Sequence, residues 1–260
     1  RLSKACISLY SSMEYMASRI IPCVNCRSEA FRQLLVIRND RSNLFDPTCR
    51  VVACERCGLV FLNPQHEEED YKRYYEMAYR EESFFDMDTK KLLYRKRNQK
   101  KYAQFIINNI PLSSEARILD VGSGLGAFMH FLNQLGFRNV EGLDPEKACV
   151  QFVRERFNLI VHPSTLFNHS LPLVSYDLVT SMANIEHFTN PLTALKCMAA
   201  LLKEGGYLYL HTPDQTNMLL RKGLKNWFKV VHTYYFSEKT LSSLLSQAGF
   251  TPIAFWSTPV

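Results

Sequence analysis

Between residues 117 and 212 the chain alternates between short apolar runs and stretches where apolar side chains recur every three or four positions. RILDV (117–121), NVEGL (139–143), LIVH (159–162), YDLVTSM (176–182) and YLYLHT (207–212) have the length of buried strands. Between them, GAFMHFLNQLG (126–136) predicts a helix closed by Gly136, and PEKACVQFVRERF (145–157) a helix opened by Pro145 at its first turn. NPLTALKCMAALLKEGG (190–206) predicts a helix capped by glycine. SEKTLSSLLSQAGF (237–250) adds a helix with Ser237 as N-cap and Gly249 past its end, and TPIAFWS (251–257) a last strand. Strands separated by helices predict a parallel sheet covered on both faces: an α/β, doubly wound, Rossmann-like domain over 111–260.

Upstream the pattern changes. FRQLLVI, RVVAC and CGLVFLNP, with turn residues between them, predict a small β-rich module over 20–64. From 65 to 110 a helical linker or lid is expected, with Leu92, Leu93, Tyr102, Phe105, Ile106 and Ile107 as its apolar stripe and Pro111 ending it. Tyr75 or Tyr79, in the lid-like YKRYYEMAYREE, and His232, in HTYYFS, are placed to reach an acceptor pocket or simply to anchor loops. LLRKGLKNWFKVV (219–231) is either a plain amphipathic helix or a basic flap.

Composition changes this picture little. With 47% hydrophobic and 22% charged residues over 260 positions, the chain is that of a soluble globular protein with one sizeable core. The formal charge of +6 invites a nucleic-acid partner. Its distribution argues against one: 66–88 is acidic and 90–101 strongly basic, the pattern of mutually paired helix faces rather than a phosphate track. No apolar run is long enough to cross a bilayer, and the opening segment lacks the apolar stretch of a signal peptide, so a cytoplasmic location is expected.

Eight cysteines without a secretory signal point to thiols or metal ligands, not to a disulfide scaffold. Four form two pairs, Cys23-Val-Asn-Cys26 and Cys54-Glu-Arg-Cys57. A structural zinc ion needs four soft ligands at tetrahedral angles, and each C-x-x-C turn delivers two thiolates from one knuckle. The 27 residues between the pairs exceed the usual spacing, which a β-hairpin insertion absorbs. Such a zinc-ribbon site is closed, so its task is folding and docking rather than catalysis. Two coincidental pairs, or a redox dithiol needing only one pair, are the alternatives. Cys49 lies near but fits neither knuckle.

ILDVGSGLGA (118–127) satisfies the dinucleotide fingerprint G-x-G-x-x-G/A through Gly122, Gly124 and Ala127. Asp120 contradicts that assignment. A carboxylate ending the first strand would face a pyrophosphate at close range, in a site whose helix dipole favours anions. S-adenosylmethionine carries an ammonium and a sulfonium instead, both of which a carboxylate stabilises. Asp144, 22 residues after Gly122, is placed to accept hydrogen bonds from ribose hydroxyls under either alternative.

With ILDVGSGLGAF, EGLDP, YDLVTSMANIEHFTNP, LLKEGGYLYLHTP and HTYYFSEKTLSSLLSQAGF in place, the chain resembles the class I S-adenosylmethionine-dependent methyltransferases from about residue 110 onward. CVNC followed by CERCGLVFLNP is similar to the zinc-binding N-terminal domain of a branch that includes sugar C-methyltransferases. The resemblance implies that Asp120, Gly122, Ser123 and Gly124 line the methionine part of the donor and that Asp144, followed by Pro145, holds the ribose. It implies adenine contact by Ser164 or Thr165, and places Ala183 and Asn184 near the sulfonium. Glu186 and His187 would be the reacting pair, with His187 as base and Glu186 orienting it and raising its pKa. A purely structural role, pinning the loop to the helix near Pro191, stays open. Ubiquinone-type O-methyltransferases also carry Glu-His here, with a metal-binding glutamate three residues earlier; Ala183 takes that place, so no catalytic metal is expected. The acceptor is expected to be a small molecule, foremost a nucleotide-linked sugar. An RNA methyltransferase and a degenerate binding module are the alternatives. The resemblance also calls for a closing hairpin, of which only 251–257 is present, so the domain is expected to be truncated at its last strand.

Overall fold

A computed structural model of the chain describes residues 18–38, 45, 48–78, 88–215 and 228–256. Near its start, β1 (Phe31–Arg38), β2 (Thr48–Cys54) and β3 (Val60–Leu62) form an antiparallel meander. Three helices follow: α1 (Glu68–Ala78), α2 (Thr89–Arg95) and α3 (Arg97–Asn109). Of the expected apolar stripe, Leu92 and Ile106 are buried and Leu93, Tyr102 and Ile107 half-buried against the same core, whereas Phe105 packs against Tyr209 and Trp256.

Next come β4 (Arg117–Val121), α4 (Ala127–Gln134), β5 (Asn139–Leu143), α5 (Lys147–Phe157), β6 (Ile160–His162), β7 (Tyr176–Met182), α6 (Pro191–Leu201) and β8 (Leu202–His211). The five strands pair in parallel in the order β6-β5-β4-β7-β8, the architecture expected of the alternating pattern. Crossing from β4 outward to β5 and β6, then back to β7, puts a switch point at the carboxyl end of β4. A short strand, β9 (Tyr234–Tyr235), and a last helix, α7 (Glu238–Gln247), complete the described fold. Ser237 caps α7 as expected, in a capping box with Thr240.

Three local expectations need correction. Pro145 does not open α5: Glu146 is the N-cap, its side chain accepting from Ala148 N, because Asp144 Oδ1 takes the Glu146 N–H at 3.0 Å. The helix predicted over 190–206 stops at Leu201, where Lys203 to Gly206 join β8; Gly205, with φ 73°, sits where the β7–β8 register shifts. Residues 251–256 form no strand, although Ile253, Phe255 and Trp256 carry the expected apolar pattern; these three side chains are exposed.

β9 pairs antiparallel with β3, so the cysteine-bearing sheet has the order β1-β2-β3-β9 and its fourth strand lies far outside 20–64. Cys23, Cys54, Leu59 and Phe61 share one continuous core with Leu119, Tyr176, Tyr234, Phe236 and Leu244. No helix among the described residues is long and apolar enough to cross a membrane.

Candidate active site

The glycine turn after β4 is built by its own hydrogen bonds. Gly122 N and Ser123 N both reach Leu143 O, at 2.8 and 3.4 Å, and Gly124 N donates to Asp144 Oδ2 at 2.8 Å. Gly122 has φ 73°, and a Cβ there would lie 2.6 Å from the Asn184 side chain, so neither the turn nor the packing admits a larger residue. Asn184 in turn donates to Val121 O (3.2 Å) and Ser181 Oγ (3.3 Å). The structure therefore brings the Asn184 side chain onto the glycine turn. Ala183 precedes it with φ 52°, a strained angle for a residue with a side chain, held by Ala183 N donating to His211 O at 2.7 Å.

Asp120 is 1% exposed and accepts from Thr180 Oγ1 at 2.8 Å. Burial pushes its pKa up to about 7, which Thr180 counteracts and Asp144 reinforces. Asp144 is raised too, by burial, while the Glu146 and Gly124 amides work the other way. Ser123 Oγ is buried without a hydrogen-bond partner and packs against Gly142 of β5. Two carboxylates and the glycine turn thus meet at the switch point. Ser164 stands apart from this picture: its hydroxyl donates to Asn168 O in its own loop.

After β7 a 3₁₀ turn, Ile185–His187, carries the second pair. Glu186 is 2% exposed, and its Oε2 accepts from Thr212 Oγ1 at 3.0 Å. His187 Nδ1 lies 2.6 Å from the Tyr75 hydroxyl and 2.9 Å from Val231 O, and the His232 ring meets its ring edge-on at 4.8 Å. The Val231 carbonyl only accepts and so favours a proton on Nδ1, whereas the Tyr75 hydroxyl can donate to or accept from that atom; Nε2 lies 4.0 Å from Glu186 Oε1. The expectation that Glu186 raises the pKa of His187 is overturned. Burial dominates both: Glu186 is pushed up to about 7 and His187 down to about 4. His232 is lowered to about 3, by burial first and by His187 second. At neutral pH the cluster holds neutral imidazoles beside a carboxyl that burial makes easier to protonate.

The four cysteines of the two knuckles converge, their Sγ atoms all lying within 4.8 Å of one another. Cys23 and Cys57 are 3.5 Å apart and Cys26 and Cys54 3.4 Å, close to the edge of about 3.8 Å of a tetrahedron with zinc–sulfur bonds of about 2.3 Å. Gly58 N donates to Cys54 O and Arg27 N to Cys23 O, the backbone closure of each knuckle. Cys49 is buried in a different cluster, with Ile37 and Val51. Glu186, His187 and His232 also offer ligand atoms within 4.8 Å of one another, with 4.0 Å between Glu186 Oε1 and His187 Nε2.

The hydroxyl and carbonyl partners Thr180, Thr212, Val231 and Thr233 escape sequence inspection, because a threonine in or beside a strand, or a backbone carbonyl, leaves no distinctive pattern. His232 and Tyr75 were legible as candidates and do meet His187. Tyr79 and residues 219–227 of the basic flap lie outside the described residues.

A family model described as a methyltransferase domain matches residues 94–254. The chain is 32% identical over 102 residues to a ubiquinone biosynthesis O-methyltransferase of Vibrio parahaemolyticus, covering 37% of this chain and 43% of that protein. It is 32% identical over 110 residues to the protein of the same name from Xanthomonas campestris, covering 39% and 44%. The chain thus spans less than half the length of these curated relatives. Among solved structures it is similar to a SAM-dependent methyltransferase of Thermotoga maritima, with 28% identity and a TM-score of 0.50, covering 62% of this chain and 74% of that one.

Proposed function

The chain belongs to the methyltransferase-domain family, and from that premise we propose that it moves a methyl group from S-adenosylmethionine to a small-molecule acceptor at the carboxyl edge of its parallel sheet. One observation carries the choice of donor. The glycine-turn amides that a pyrophosphate would need are already spent inside the protein, on Leu143 O and on the Asp144 carboxylate. What the turn offers instead is negative charge, from Asp120 and Asp144, which suits a cation and repels a phosphate.

S-adenosylmethionine supplies an electrophilic methyl group on a positively charged sulfur. Asp120 and the Ser123 hydroxyl hold the methionine end, Asp144 accepts from the ribose, and Ala183 and Asn184 border the sulfonium side. Gly122 and Gly124 keep the floor open. Ser164, its hydroxyl committed to Asn168 O, is the weakest of the donor contacts. Glu186 and His187 sit one turn further on and face the acceptor. In the tautomer protonated at Nδ1, which the Val231 carbonyl favours, neutral His187 takes the acceptor's proton at Nε2, and buried Glu186 stabilises the imidazolium that results. The four cysteines hold a structural zinc ion, a reading supported by the sulfur spacing.

The acceptor class that best suits a buried base beside hydroxyl-rich neighbours is a nucleotide-linked sugar or a related metabolite, methylated on carbon or oxygen. RNA is disfavoured as acceptor. The basic residues Lys90, Lys91, Lys96, Arg97, Lys100 and Lys101 fall in and between α2 and α3, whereas the helix that brings Tyr75 to His187, α1, opens on Glu68, Glu69 and Asp70. Calorimetry tests the donor: S-adenosylmethionine binds and NAD does not. Binding of NAD alone would end the proposal.

A further inference from the structure

Three consecutive residues of one segment grip the reacting turn. Val231 O meets His187 Nδ1 at 2.9 Å, and the His232 ring lies edge-on to that of His187. The Thr233 hydroxyl lies 2.9 Å from Glu186 O and 2.8 Å from Phe188 O. Thr233 is fully buried, and its one hydroxyl proton serves two carbonyls that flank His187 in the chain.

The other side of the same residues is fastened to the cysteine-bearing sheet. Thr233 O accepts from Leu62 N at 2.9 Å, and Tyr234 and Tyr235 pair with Phe61 and Val60. Leu62 and Cys57 belong to one short run, 57–62, in which Leu59 O accepts from Cys54 N. Tyr234 adds a hydroxyl bond to Thr189 O at 3.1 Å, just past the turn. No other described strand joins the cysteine sheet to the second half of the chain.

We propose that the four-cysteine sheet braces the Glu186–His187 turn, and that Thr233 is the positioning residue through which it does so. This inference rests on the assignment of that turn as the reacting end. Thr233 touches neither donor nor acceptor; it fixes the backbone on both sides of His187, and with it the line from Nε2 to the acceptor. The cysteine knuckles therefore matter to the site through a path of hydrogen bonds, from the β3–β9 backbone pairing to the Thr233 hydroxyl, without any group of theirs entering it.

The test is ¹⁵N-histidine NMR of the whole chain, for wild type, Thr233→Val and Thr233→Ser. Thr233→Val keeps the shape and removes the hydroxyl. Expected are shifted or broadened His187 and His232 ring signals, a His187 titration midpoint moved upward by at least half a pH unit, and unchanged His130 signals. Affinity for S-adenosylmethionine stays within twofold, and Thr233→Ser restores the wild-type spectrum. Tyr234→Phe, a milder cut of the same strap, shifts the same two histidines less. Unmoved His187 signals in Thr233→Val, or shifts that reach His130 equally, would overturn the brace. His187→Ala separates the two ideas: full methyl transfer by that variant removes His187 from the chemistry and leaves the brace standing.

Discussion

Asp120 combines complete burial with a carboxyl group, and its titration has a definite sign. The folded state raises its pKa to about 7, so the fold binds that proton more tightly than the open chain does. The group opposes folding progressively as pH rises from its ordinary acid range toward 7, and is neutral in its effect below that range. Asp120→Asn should therefore stabilise the donor-free protein above pH 7 by on the order of 1–3 kcal/mol, read as a higher Tm. The same change should weaken binding of S-adenosylmethionine at least tenfold; equal affinity would mean that Asp120 does not face the cation. In the wild type, donor affinity should fall as pH drops below 7. His187 runs the other way. Its lowered pKa means that stability present above the ordinary imidazole value is lost as pH falls toward 4. Its ring should stay neutral at pH 5.5 by NMR, and a protonated ring there would contradict the burial argument. At Gly122 the expected result is steric. Gly122→Ala puts a Cβ against Asn184 at a positive φ and should abolish donor binding, which calorimetry reads directly.

Among the elements, those with strong periodicity were legible. The five parallel strands and α4 to α7 follow from apolar runs separated by caps, because burial on both sheet faces leaves few other solutions. What the sequence concealed was set by long-range pairing. Lys203 to Gly206 look like a glycine-capped helix end, yet they form the start of β8, since Leu202 pairs with Tyr176 and draws the chain into the sheet. TPIAFWS has a strand's composition but no described partner strand, and a strand exists only as part of a ladder. Glu186 and His187 were identifiable from their place after β7, whereas the reversal of their expected pKa order depends on burial, which no motif encodes. The cysteine knuckles were legible from spacing alone. With zinc bound there as proposed, a chelator should lower Tm by many degrees, and elemental analysis should find about one equivalent per chain in the wild type and close to none in Cys57→Ser. A full-length protein purified without zinc and unaffected by chelator would refute that site.

For the whole molecule, the shared core matters more than the boundary between module and domain. Cys23, Cys54 and Phe61 pack in one cluster with Tyr234, Phe236, Leu241 and Leu244, and the Gln247 amide reaches Asn25 Oδ1 at 2.7 Å. A chain beginning after residue 64 would expose Tyr234 and Phe236, both nearly fully buried in the intact protein. Such a shortened protein should aggregate or show a much lower Tm, measured by scanning calorimetry. Retention of the full Tm would mean that the two parts fold independently.

The pairing of β3 with β9 also imposes an order on biosynthesis. When the cysteine knuckles leave the ribosome, the edge of β3 has nothing to pair with until residues 234 and 235 are made, some 170 positions later. Throughout that interval Val60, Phe61 and Leu62 form an open apolar strand edge, the kind of surface that chaperones hold and neighbouring nascent chains capture. The last strand added to this sheet is thus the one that ends its exposure.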